Sequence, residues 1–194
     1  MGIVAIIGEV ISAVKLAEKV KDTLRILFPE PPQELTKKHR WYQCTIKNCT
    51  QFKLLVGDTY IDTGKWWTPP QGTSPFEQTT FSASNGDHNP GGATGGVAWK
   101  LYLDEQHWFY FSVGLTSPAT GSSKAAIVES EDPEAGYKAA TKQGSSIVSK
   151  DQYKIKDKDG NEQLIFFHCV AIPGHEMRIE ITQTIVQEGD EDGF

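Results

Sequence analysis

Five histidines and three cysteines are the residues from which a metal or nucleophilic centre would have to be built, and their spacing builds neither. Asp87-His88 and His175-Glu176 are the nearest acid–base neighbours, but each lies in a Gly/Pro loop without a third partner. Asp157, Asp159 and Gly160 open like a calcium loop, yet the twelfth position holds His168 rather than Glu, so a hairpin turn is the better reading. The run from Pro90 to Gly96 reads as a loop and lacks the Lys-Ser/Thr that a phosphate cradle needs. Cys44 and Cys49 would be about 16 Å apart on one extended strand, too far to bridge. A Cys44–Cys169 bond stays open, and reduced thiols are favoured. The aromatics are more telling. Trp66-Trp67 places adjacent indoles at a strand end, where at least one must point away from the core, either to meet a ligand or a membrane interface or simply to cap the sandwich.

The elements that would position these residues are mostly strands. In 41–48, Tyr42, Cys44 and Ile46 alternate with Gln43, Thr45 and Lys47, the pattern of a half-buried strand. Period-2 segments recur at 52–61, 79–84, 97–103, 108–113, 125–129, 146–156, 163–170 and 177–186. Asp104-Glu105 and Asp157-Lys158-Asp159-Gly160 supply hairpin turns. Trp108 and Tyr110 fall on one face of their strand and Phe109 and Phe111 on the other, as in a strand covered on both sides. One short helix is expected over 134–143, with Asp132 as cap and Pro133 at its first position. Many short strands with turn punctuation predict a mainly β fold, a β-sandwich with one short additional helix.

The N-terminus differs. Over 3–28 a 3.6-residue period puts Ile3, Ile6, Ile7, Val10, Ala13, Val14, Ala17, Val20 and Leu24 on one face. Gly8, Ser12, Lys15, Lys19 and Asp22 lie opposite, and Lys21 intrudes on the apolar face. Such a helix would be about 39 Å long, against a hydrocarbon core of about 30 Å, but its polar stripe forbids crossing alone. It suits packing on its own domain, lying on an interface, or entering a membrane as one stave of an oligomer. The predicted organisation is an amphipathic helix and linker over 1–32, a sandwich over 33–187 and an acidic tail over 188–194.

Composition bounds the function. The 194 residues carry a formal charge of −6 with no basic stripe, so a nucleic-acid footprint is missing. Glu9 and Lys15 interrupt the longest apolar candidate, which excludes a transmembrane helix as made. No Lys or Arg precedes the first apolar residues, so a secretory signal is poorly written and cytoplasmic storage stays open beside secretion. No cofactor is expected, and an enzyme is the class the residues support least.

Three stretches carry a family likeness: Tyr60-Ile61-Asp62-Thr63-Gly64 leading to Thr68-Pro69-Pro70, then Ala93-Thr94-Gly95-Gly96-Val97, then Phe111-Ser112-Val113. With the order of N-terminal helix, linker, sandwich and short helix, the chain resembles the actinoporins and actinoporin-like proteins. That resemblance implies a protein that binds phosphocholine lipid headgroups, forms a homo-oligomer on the membrane, and inserts its N-terminal helix to make a cation-permeable pore. It implies headgroup positions at Thr63, Val97, Ser112 and Tyr137, with insertion through Ile3, Ile6, Ile7, Val10, Val14, Ala17, Val20 and Leu24. The chain departs from the family at Gly114, where a proline is usual, and at Ala139 and Ala140, where the helix tyrosines are thinned. Trp66 and Trp67 are then the candidates for interface anchoring. The alternative is a lectin-like sandwich that binds glycans without making pores, using Trp66, Trp67 and the polar loop 116–123.

Overall fold

The computed structural model describes residues 2–87 and 90–187; His88 and the acidic run 188–192 lie outside the described residues. In chain order the elements are β1 (Ile3–Glu9), α1 (Ala13–Arg25), α2 (Gln33–Thr36), β2 (Trp41–Cys49), β3 (Lys53–Thr63), β4 (Lys65–Thr68) and β5 (Gln78–Ser84). There follow β6 (Ala93–Tyr102), β7 (Trp108–Ser117), β8 (Lys124–Val128), α3 (Pro133–Ala139), β9 (Ser145–Val148), β10 (Gln152–Lys156), β11 (Glu162–Ile172) and β12 (Glu176–Gln187).

Two sheets form a sandwich. The larger runs β1-β10-β11-β12-β2-β5-β4, with β9 sharing an edge of β11; the smaller runs β3-β6-β7-β8. Period-2 strands turn one apolar face inward, and the two inner faces interlock. Phe81 meets Trp99 at 5.9 Å between ring centroids, and Phe109 stacks on Phe167 at 5.1 Å, each pair joining one sheet to the other. Both expected hairpin turns are present, linking β6 to β7 and β10 to β11.

Four expectations need correction. The continuous helix over 3–28 is a strand followed by a 13-residue helix. β1 pairs in parallel with β10, so residues assigned to a separate N-terminal unit form an edge strand of the sandwich. Ile3, Val4, Ile6 and Ile7 are β-branched and fit an extended chain. Gly8 takes a left-handed φ of 145° within the register shift between Ala5 and Glu9, and the Ser12 side chain accepts the Lys15 N–H to start α1.

The strand expected over 146–156 is two, because Ser149 leaves the line. Its Oγ accepts the Phe167 N–H at 3.1 Å and donates to the Asp151 carbonyl at 2.8 Å. β2 is covered on both faces instead of one. Gln43 Nε2 donates to the Pro29 carbonyl, and Lys47 Nζ to the Leu24 and Ile26 carbonyls, so the segment around α1 roofs the residues expected to face water. The strand from Trp108 is the reverse case: Phe109 and Phe111 are buried, but Trp108 and Tyr110 keep part of their surface exposed.

α3 begins where expected, with Asp132 accepting the Glu134 N–H and Pro133 in the first turn. Glycines bring it unusually close to the smaller sheet. A Cβ at Gly96 would fall on the Pro133 carbonyl, and one at Gly114 on the Gly136 carbonyl. Gly114→Ala is therefore expected to cost about 1–3 kcal/mol by overpacking, read as a lower urea midpoint with an unchanged slope.

Candidate functional site

Two features stand out: an incompletely buried N-terminal segment, and a polar cavity beside α3. Among the described residues, six of the ten large apolar side chains left exposed lie between residues 3 and 27, which puts the missing apolar cover in one place. Of the residues expected to insert, Ile6 and Val10 are buried and Val20 half-buried. Ile3, Ile7, Val14, Ala17 and Leu24 are exposed. α1 docks through Leu16 and Thr23, which lie beside the predicted apolar face, and through Val20 at its edge, while Val14 (72% exposed) on that face and Leu27 (85%) beyond the helix face water. Thr23 Oγ1 reaches the Phe76 carbonyl at 3.0 Å, and the Phe28 ring lies 4.3 Å from both Lys47 Nζ and Arg178 Cζ. Cations on β2 and β12 thus close off the C-terminal end of α1.

β1 is clasped from the smaller sheet. Asp104, buried in the β6–β7 turn, accepts the Ile7 N–H on Oδ2 at 2.7 Å and the Gln106 N–H on Oδ1 at 2.8 Å. His107 Nδ1 lies 2.8 Å from Oδ1. Burial opposes the Asp104 charge, but the two N–H groups and His107 outweigh it and hold the carboxyl below its ordinary value. A depressed carboxylate contributes stability that is complete above its unfolded value of about 3.9 and is lost as pH falls through the folded value. Exchange of the Ile7 amide should accelerate as pH falls below about 4, after correction for intrinsic rates. Asp104→Asn should lessen that change, and an identical profile in both proteins would refute the clasp.

The second feature is a cavity of about 290 Å³ walled by Thr94, Thr116, Pro118, Lys124, Tyr137 and Lys138. β3 and β6 align Thr63 opposite Thr94, with hydroxyls 2.7 Å apart. Thr94 Oγ1 donates to Asp62 Oδ2 at 3.0 Å, and the Tyr137 hydroxyl donates to the same oxygen at 2.9 Å. Tyr60, two residues before Asp62 on β3, packs its ring 5.4 Å from that of Tyr137. Burial, then the Asp62 hydrogen bond and charge, raise the Tyr137 phenol above its ordinary range, so it is a donor at neutral pH.

Thr63 and Tyr137, both expected from the sequence, therefore meet in one network. Val97 and Ser112 do not join it. Both are fully buried, and Ser112 Oγ accepts the Gly136 N–H at 3.1 Å, which seats α3. Asp62, Thr94 and Lys124 are not among the site residues expected from the sequence, and Thr116 is there only as the start of the polar loop of the glycan alternative, although the Tyr60/Asp62 period on β3 is the pattern that aims both at α3.

Trp66 and Trp67 separate. Trp66 packs edge-on to Phe81 at 5.8 Å and closes the sandwich, while Trp67 is 36% exposed beneath Lys38 Nζ. Asp87 is taken by Lys38 and Lys65, whose hydrogen bonds and charges hold it at about 2. His175 stacks on Trp41 at 5.1 Å. Asp157 accepts the Asp159 and Asn161 N–H groups, which makes its segment a turn. Among the described residues no group of His, Cys, Asp or Glu could hold a metal, and no helix is long and apolar enough to cross a membrane.

No family model matches the chain, and no curated protein matches it in sequence. Among solved structures, the lipid binding protein Nakanori aligns over 89% of this chain and 81% of its own at 11% identity, with a TM-score of 0.51. IP-1A from Alcaligenes faecalis aligns over 82% and 100% at 15% identity, TM-score 0.40. The Xerocomus chrysenteron lectin XCL aligns over 74% and 99% at 9% identity, TM-score 0.37. The likeness to Nakanori shows a shared fold.

Proposed function

We propose that this chain is a membrane-binding, pore-forming protein, a divergent relative of the actinoporins. It docks on lipid through the α3 end of the sandwich, oligomerises there, and inserts its N-terminal segment as a cation-permeable pore. The observation that carries the reading is the apolar surface left uncovered on β1 and α1. A fold shared with a protein described as lipid binding is in keeping with it.

Lengths define what insertion requires. α1 has 13 residues and so spans about 20 Å, short of a hydrocarbon core of about 30 Å. Residues 3–28 as one helix would reach about 39 Å. β1 must therefore leave β10 and turn helical, and the periodicity of 3–28 gives that longer helix an apolar face, interrupted at Lys21. In water, edge pairing and the burial of Ile6 and Val10 favour the strand. In lipid, an unpaired strand edge is forbidden and the helix satisfies its own backbone. The polar stripe of Ser12, Lys15, Lys19 and Asp22 then needs neighbouring copies around water. Trp67, whose ring is at the surface, is the better interface anchor of the pair. The site of action is a target-cell membrane, reached by secretion or by release from cytoplasmic storage.

The test is dye release from vesicles by the full chain and by a chain beginning at Pro31. Release by the full chain alone is the expected result. Equal release by both, or none by either folded protein, overturns the proposal, and binding on a glycan array without release would favour the lectin reading.

A further inference from the structure

The polar groups around the α3 cavity differ in what they have left to offer a ligand. The Tyr137 and Thr94 hydroxyl protons are both committed to Asp62 Oδ2, so their oxygens present lone pairs and no donor. The Lys124 ammonium, by contrast, has no carboxylate or carbonyl partner among the described residues. Thr116 is only 6% exposed, and its hydroxyl has no hydrogen-bond partner among the described residues. Lys138 adds a second ammonium to the wall, shared with Glu134 at 3.2 Å.

One part of the wall can therefore donate to an anion, and another accepts N–H or O–H donors, backed by the Asp62 charge. An orphan hydroxyl in a buried wall is costly unless something binds it. We infer that the cavity takes a phosphate ester of a primary amino alcohol: Lys124 and Thr116 hold the phosphate, and Tyr137 and Thr94 accept from the ammonium. A choline ester fits this wall poorly. A quaternary ammonium has no N–H for the two acceptors and depends on enclosing ring faces, of which the wall supplies Tyr137 alone, with Tyr60 packed behind it.

The inference rests on the membrane reading where the ester is a lipid headgroup, and stands apart from it where the ester is free. The experiment compares binding of the full chain to phosphatidylcholine vesicles with and without an equal share of phosphatidylethanolamine. Phosphoethanolamine, phosphocholine and inorganic phosphate are titrated separately, following Tyr137 by NMR. Ethanolamine-containing vesicles should bind about tenfold more tightly, as a lost charge-assisted hydrogen bond implies. Lys124→Gln should remove that preference and Lys124→Arg restore it, with Thr116→Val as a second variant. Phosphoethanolamine should shift Tyr137 at concentrations where phosphocholine does not.

Equal binding to both vesicles, or a preference that survives Lys124→Gln, overturns the assignment while leaving membrane binding standing. Binding of soluble phosphoethanolamine with no vesicle bound supports the cavity assignment and removes the membrane reading. A response to inorganic phosphate as strong as to phosphoethanolamine overturns the ammonium half.

Discussion

Val14→Asp is expected to raise the dose needed for vesicle leakage about a hundredfold while leaving the soluble protein intact. The two effects separate because Val14 is 72% exposed on α1, and exposed substitutions of this kind usually change stability by less than about 0.5 kcal/mol. In the inserted helix the same position falls near the middle of residues 3–28, where an Asp costs about 2.5–3.5 kcal/mol per copy. That is about two orders of magnitude for each protomer. Val10→Asp is a poorer test, because Val10 belongs to the buried core and its loss would weaken the fold as well. Melting temperature and leakage measured on one preparation decide the matter: unchanged leakage from a folded Val14→Asp protein would dismiss helix insertion.

A disulfide across the β1–β10 pair should abolish leakage outright. Ala5 and Lys154 are register partners on these neighbouring parallel strands, within the Cα range that a disulfide tolerates. Cysteines at both positions would, once oxidised, prevent β1 from leaving the sheet, and reductant should restore activity. The native thiols will not compete. Cys44, Cys49 and Cys169 are all free and buried. Burial pushes the Cys44 and Cys169 thiols far above the ordinary range, and burial with the nearby Glu180 charge pushes Cys49 up to about 11. Leakage undiminished in the oxidised protein would show that the strand-to-helix conversion is not required.

Most of the sandwich was legible because its signals are local. The eight period-2 segments besides 146–156 correspond to strands, with ends displaced by a few residues. The Asp132-Pro133 start of α3 and the two Asp-rich turns were read from capping and turn chemistry alone. β4 was seen only as a pair of tryptophans at a strand end, since four residues are too few to show a period. Gly95 and Gly96 were read as loop. Gly95 lies against the Tyr60 carbonyl of β3 and Gly96 against the Pro133 carbonyl of α3, contacts between residues far apart in sequence.

The site was half legible for the same reason. The resemblance points to Thr63 and Tyr137, but the Asp62 oxygen that joins Tyr137 to Thr94 requires β3, β6 and α3 to be placed together. Lys124 and Thr116 acquire meaning only from what fails to pair with them in three dimensions.

By itself the sequence determined that the body is a β-sandwich, because alternation of apolar residues with turn punctuation has one economical burial. It also determined that residues 3–28 carry an apolar face at helical spacing. Only the tertiary structure decided that Ile3–Glu9 is a strand. Its β-branched residues suit either state, and the open edge of β10, with the Asp104 clasp, supplies partners that a helix would forgo. Tertiary structure also decided which side of α1 is buried. Periodicity defines an apolar arc, but only the surface it meets, here β2 and its Lys47, fixes how much of that arc leaves water.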